Sequence, residues 1–146
     1  MTSEARRKAL IIAVSEYEEF TSLEFCKKDG QGMYDLLRSL NYEISEDHKL
    51  IGYVKYDKIR DAIYSFFDNR KTSADDTLLF YYSGHGIPIS EGDTCLSSSE
   101  TDYYSPRKNG FPSRELTDLI NDSNSTRIVE ILDCCYSGAA IVDLYS

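Results

Sequence analysis

Ile128-Val129-Glu130-Ile131-Leu132-Asp133-Cys134-Cys135-Tyr136-Ser137-Gly138 decides the reading of the fold. An apolar run breaks off in a carboxylate, two adjacent thiols and a Ser-Gly turn. A second stretch repeats the form: Thr77-Leu78-Leu79-Phe80-Tyr81-Tyr82, followed by Ser83-Gly84-His85-Gly86. Each reads as a buried strand whose carboxyl end presents one reactive side chain in a glycine-marked turn. In parallel α/β sheets, chemistry gathers beyond the carboxyl ends of the strands. The two stretches therefore predict His85 and Cys135 as a cysteine–histidine pair on neighbouring strand ends.

Working outward, Lys8 to Ser15 is a continuous apolar run of strand length, the pattern of a central strand covered on both faces. Residues 16–21 read as an acidic loop. Met33, Leu36, Leu37 and Leu40 recur at the spacing of one helical face over 27–40, and Asn41 stops that helix. Residues 42–51 hold a short strand and a loop. Asp57 can cap a second helix whose apolar stripe is Ile59, Ala62, Ile63, Phe66 and Phe67. After a polar turn over 69–76 and the strand ending at Tyr82, residues 87–112 read as a long irregular loop with a short strand near 94–97. Such a loop beside a candidate site is more often functional than accidental. Ser113 caps a third helix carrying Leu116, Leu119 and Ile120, a strand follows over 126–132, and residues 139–144 open another helix. This alternation predicts an α/β fold: a mostly parallel sheet with helices on both faces.

The bulk numbers bound the function. A chain of 146 residues is one domain with room for a proper core. Its net charge of −9 argues against nucleic acid or an anionic membrane as partner and mildly favours basic ligands. No run approaches the roughly 18 apolar residues that would span a bilayer. Residues 1–8 are polar and charged with no apolar signal region, so a cytoplasmic location is expected. The cysteines at 26, 95, 134 and 135 show no CxxC spacing, which argues against structural zinc, and they are expected to be reduced.

A free thiol has a pKa near 8.5, so only a few per cent is thiolate at neutral pH. A histidine within reach takes the proton and later returns it to a leaving amine. The backbone N–H groups of Gly86 and Cys135 can point together at a developing oxyanion. Cys134 should face the other side of the sheet as an inert small hydrophobe. His48 reads as solvated surface.

The residues at 81–86 (Tyr-Tyr-Ser-Gly-His-Gly) and 132–138 (Leu-Asp-Cys-Cys-Tyr-Ser-Gly) resemble the two signature blocks of the caspase-like cysteine peptidases, nearest to metacaspases and their prokaryotic relatives. Leu23-Glu24-Phe25-Cys26-Lys27-Lys28-Asp29 is similar to an early Leu-x-Gly-Cys-x-x-Asp element of the family, with Phe25 in place of the glycine. The resemblance implies a three-layer α-β-α sandwich, Cys135 as nucleophile and His85 as general acid/base. It also implies a pocket of Asp29 and Asp133, with Ser83 beside them, which would hold an arginine or lysine side chain by charge-assisted bonds. Residues 1–146 then correspond to the large catalytic subunit, and a small-subunit segment or partner outside them completes the sheet. No cofactor is expected; calcium activates part of the family, and the acidic loops permit it without indicating it. Arg107-Lys108 is a candidate internal cut site. Two other readings stay open: a catalytically silent scaffold of the same fold, and a different thiol-dependent amide hydrolase.

Overall fold

A computed structural model describes residues 4–136. The turn expected at Ser137-Gly138 and the helix expected over 139–144 lie outside the described residues. The axis of the fold is strand β1 (Arg7–Val14), whose residues Ala9 to Val14 expose no surface at all. Apolar side chains pointing both ways along one strand can be buried only if layers cover both faces. Helix α1 (Glu24–Ser39) supplies one layer; α2 (Tyr56–Phe66) and α3 (Ser113–Asn121) supply the other. Ala9, Ile11, Leu79 and Tyr81 meet Leu37 of α1, whereas Leu10, Ile12, Phe80 and Tyr82 meet Ile59, Ile63 and Phe66 of α2 and Leu116 of α3.

Among the described residues the sheet is mixed and six-stranded. Strand β2 (Lys49–Gly52) lies parallel to β1 on one edge, and β3 (Thr77–Ser90) lies parallel to it on the other. Strands β4 (Asp93–Ser97) and β5 (Gly110–Pro112) extend the sheet as an antiparallel pair, while β6 (Arg127–Tyr136) runs parallel to β3 along its remaining edge.

Two expected strand ends prove to be strand interiors. β3 continues beyond Tyr82 to Ser90, and β6 beyond Leu132 to Tyr136. The reason is hydrogen bonding. The last rung of β1 on β3 is Ala13↔Ser83, but β4 takes up the vacated edge from Gly86 onward, and β6 stays paired through Gly86↔Tyr136. The backbone groups of the Ser83–Gly86 segment are thus largely partnered by strands, and no turn is required there. Gly84 serves close approach instead: a Cβ on it would stand 2.5 Å from the Tyr82 hydroxyl and 2.6 Å from that of Tyr17. The expected long loop after His85 is accordingly replaced in large part by β4, β5 and a short 3-10 turn at Pro106–Lys108.

The helices differ from expectation in their faces and caps. α1 buries Cys26, Gly30 and Leu37, and it leaves Leu36 and Leu40 about half exposed. Gly30 sets that rotation, since a Cβ there would fall 2.5 Å from the Ala13 Cβ of β1. Asn41 ends the helix in a left-handed conformation, φ 66°, as its place in the sequence suggests. Asp57 stands inside the first turn of α2 and makes no side-chain cap; Lys55 occupies the cap position. Ser113 is the first helical residue of α3. Its hydroxyl accepts from Thr94 N–H and donates to Asp93 Oδ1, both at 3.0 Å, while Arg114 N–H also donates to Asp93 at 3.0 Å. A carboxylate from β4 therefore caps α3 from outside. His48 is not solvated surface: it is half-buried, 2.7 Å from the Ser65 hydroxyl and edge-on to Phe66, and burial lowers its pKa.

Candidate active site

β3 and β6 carry the site on adjacent rungs. Ser83 pairs with Asp133, Gly84 with Cys134, and His85 with Cys135. Alternation along a strand then sorts the side chains. Cys134 packs into the layer of α2 and α3, where burial pushes its thiol up to about 12. Ser83, His85, Asp133 and Cys135 take the opposite face, toward the start of α1.

His85 is 6 % exposed and fixed from all sides. Its Nε2 lies 2.9 Å from the backbone carbonyl of Thr21, and its Nδ1 lies 3.3 Å from the carbonyl of Cys135. Tyr17 meets the ring edge-on at 4.7 Å and Phe20 covers it at 5.2 Å. The His85 N–H donates to the Tyr17 hydroxyl at 2.8 Å, which also accepts from Ser97 at 3.0 Å. The one hydroxyl proton of fully buried Tyr82 is shared between the carbonyls of His85 at 3.0 Å and Ser97 at 2.9 Å. These phenols hold both backbone groups of His85, the N–H and the C=O. Burial pushes Tyr17 up to about 12, so it stays a neutral hydroxyl at physiological pH.

The carbonyl of Thr21 has one chemical consequence. A carbonyl stands at each ring nitrogen and the neutral imidazole can donate to only one; donation from Nε2–H to the shorter Thr21 contact leaves the Nδ1 lone pair on the Cys135 side. Cys135 is half-buried, and its thiol is pushed up by burial and then by the Asp133 carboxylate. The sulfur therefore needs a base to react at neutral pH. All four cysteines are free, and burial drives Cys26 and Cys95 up to about 11.

Asp29, in the second turn of α1, and Asp133 are both exposed and act on the same neighbours, Cys26 and Tyr81, raising both. Between them the Ser83 hydroxyl is fully buried and, among the described residues, lacks a hydrogen-bond partner; Cys26 and Tyr81 stand beside it without closing a bond of good geometry. A buried hydroxyl left open in this way suits a donor that arrives from outside. Gly86 belongs to the last rung of β3 on β6, one step beyond His85↔Cys135. The His85 N–H points to Tyr17 on the opposite edge, so the Gly86 N–H turns toward β6. The Gly86 and Cys135 N–H groups thus stand at the end of a ladder, not in a turn.

Thr21, Tyr17 and Phe20 are absent from the sequence-based site. The signal was present: two aromatics, Tyr17 and Phe20, lie in the loop that follows the carboxyl end of β1, the strand beside β3. Among the described residues no group of three or more His, Cys, Asp or Glu side chains is placed to hold a metal ion, and no helix is long and apolar enough to cross a membrane.

A half-buried thiol and an imidazole thus stand on one rung of two parallel strands, an arrangement that suits thiol-dependent hydrolases on α/β sheets. The sequence model of the caspase domain matches residues 6–145, nearly the whole chain, and the chain belongs to that family of cysteine peptidases. Its mixed sheet between helical layers is the caspase-like α/β sandwich. No curated protein matches the chain significantly.

Proposed function

We propose that this chain is the large-subunit part of a cysteine endopeptidase of metacaspase type, which cleaves after arginine or lysine through Cys135 and His85. The rung His85↔Cys135, with Thr21 holding the far ring nitrogen, carries the reading. Nδ1 takes the thiol proton, and the sulfur attacks the scissile carbonyl carbon. The N–H groups of Gly86 and Cys135 receive the oxyanion once the last rungs of the β3–β6 ladder, which engage them, open for the substrate. As the C–N bond breaks, His85 returns the proton to the leaving amine, and water, deprotonated by the same imidazole, hydrolyses the thioester. Removing one oxyanion donor would cost about 2.7–4 kcal/mol of barrier.

The preference for a basic side chain is supported by Asp29 and Asp133, both exposed and both acting on Cys26, and by the unpartnered Ser83 hydroxyl beside them. A guanidinium or ammonium there meets two carboxylates and one neutral acceptor. The reaction uses the chain's own thiol and imidazole and calls for no cofactor. A small-subunit segment paired along β6, and a reducing, cytoplasmic setting that keeps Cys135 a thiol, belong to the same proposal. The net charge of −9 supports a protein or peptide substrate with a basic residue over nucleic acid or a membrane. The test compares matched peptides with Arg, Lys or Asp before the scissile bond. Cleavage after Arg or Lys that is lost in Cys135→Ala supports the proposal, and cleavage after Asp overturns the pocket assignment. Hydrolysis of small amides without peptides would favour another thiol hydrolase.

A further inference from the structure

β3 does not stop at the imidazole. Ser83, His85 and Ile87 follow one another on the same face of the strand, roughly 6.6 Å apart. The Ser83↔Asp133 rung thus lies one step before His85, and a different feature lies one step after it. There Ile87 and Ile89 form one wall of an open groove of about 530 Å³; Tyr103 and Tyr104 line it, and Arg107 and Lys108 stand on its rim. Ile87 is buried, whereas Tyr104 is 88 % exposed. Two ring contacts link the groove to the imidazole: Tyr103 meets Phe20 edge-on at 6.4 Å, and Phe20 covers His85 at 5.2 Å. Neither Arg107 nor Lys108 forms an ion pair among the described residues, in a chain whose net charge is −9.

The proton path fixes which part of a substrate passes this way. The residue before the cut sits by Ser83 and Asp133, and the leaving amine takes its proton from His85. The chain after the cut must then depart over the imidazole, toward Phe20 and Tyr103. We propose that the groove is a leaving-side subsite that takes an aromatic or large apolar residue against Ile87 and Tyr103, followed by an aspartate or glutamate held by Arg107 and Lys108. The inference rests on the peptidase reading above and adds polarity to it: the site selects a basic residue before the scissile bond and an acidic segment after it.

Binding without turnover tests this directly. Labelled peptides that share an arginine before the scissile bond, and carry either Phe-Glu-Asp or Phe-Lys-Lys after it, are titrated into Cys135→Ala by fluorescence anisotropy. The acidic peptide is expected to bind about fivefold tighter at low salt, with the difference shrinking as ionic strength rises. In Arg107→Glu/Lys108→Glu the preference should reverse; both positions are exposed, so the fold is not at stake. Equal binding of the two peptides, or a preference that survives charge reversal, overturns the subsite. An arginine amide of aminocoumarin, which has no leaving-side residues, reports on the peptidase reading alone. If wild type hydrolyses that amide and the peptides show no leaving-side preference, the subsite alone fails. If the amide stays inert even with a small-subunit segment supplied in trans, the peptidase reading fails, and the binding titration still decides the groove.

Discussion

Asp133 faces two demands that pull in opposite directions. In the proposed pocket it would attract a basic substrate side chain; as a neighbour of Cys135 it holds the thiol pKa up, second only to burial. Removing its charge should therefore split the two effects. Asp133→Asn is expected to move the pH midpoint of Cys135 alkylation downward, because the thiolate no longer forms beside an anion. The same variant should lower kcat/KM for arginine peptides by about tenfold, the worth of one charge-assisted contact. A midpoint that stays fixed would show that the carboxylate does not act on the sulfur. An incoming arginine would neutralise Asp133 and so ease thiolate formation, which ties nucleophile activation to occupancy of the pocket. Asp29, farther along α1, acts on Cys26 and Tyr81 and is not among the groups that raise Cys135. Asp29→Asn is the matched control: weaker arginine selection with an unchanged alkylation midpoint.

At the scale of elements, the Ser83–Gly86 segment of β3 is a strand held rigid by two phenols. The hydroxyls of Tyr17 and Tyr82 occupy the volume a side chain at position 84 would need. Gly84→Ala should destabilise the fold by about 1–3 kcal/mol in urea melts, the usual cost of overpacking, and slow thiol chemistry by displacing His85. An unchanged midpoint would mean that the clamp opens freely. The pairing of His85 with Cys135 was legible because both residues follow apolar strand runs, and parallel neighbours bring such positions together. The strand ends were misread because Ser-Gly-His-Gly carries turn chemistry in its sequence. Nothing local reveals that β4 returns to pair with Gly86 and Ile87. The α1 face was misread for a related reason: the large residues Leu36 and Leu40 outweigh Gly30 in a periodicity argument, yet the glycine makes the contact with Ala13. The caps of α2 and α3 were assigned to the nearest polar residue, whereas Asp93 reaches α3 across the sheet from β4. The Thr21 carbonyl is a backbone group whose position depends on the fold, so no residue type could signal it.

For the molecule as a whole, β6 is an interior-type strand standing at an edge. It pairs with β3 alone among the described residues, and Val129 and Leu132, which alternate to opposite faces, are both substantially exposed. An apolar strand of this kind is a template for pairing. A small-subunit segment supplied in trans or fused to the chain should pair there, cover both side chains and raise Tm by several degrees. It should also speed Cys135 alkylation by steadying the strand that bears the thiol; a segment that binds without changing either quantity would place its contact elsewhere. The claim on which the account turns is that His85 activates Cys135. The direct measurement is the rate of iodoacetamide alkylation at each cysteine as a function of pH, in wild type and in His85→Ala, followed by mass spectrometry. Cys135 should react fastest of the four at neutral pH, since burial drives the other three thiols up to about 11–12, and its rate should fall at least about tenfold without the imidazole. Equal rates at Cys135 in the two proteins, or faster labelling of Cys26, would contradict it.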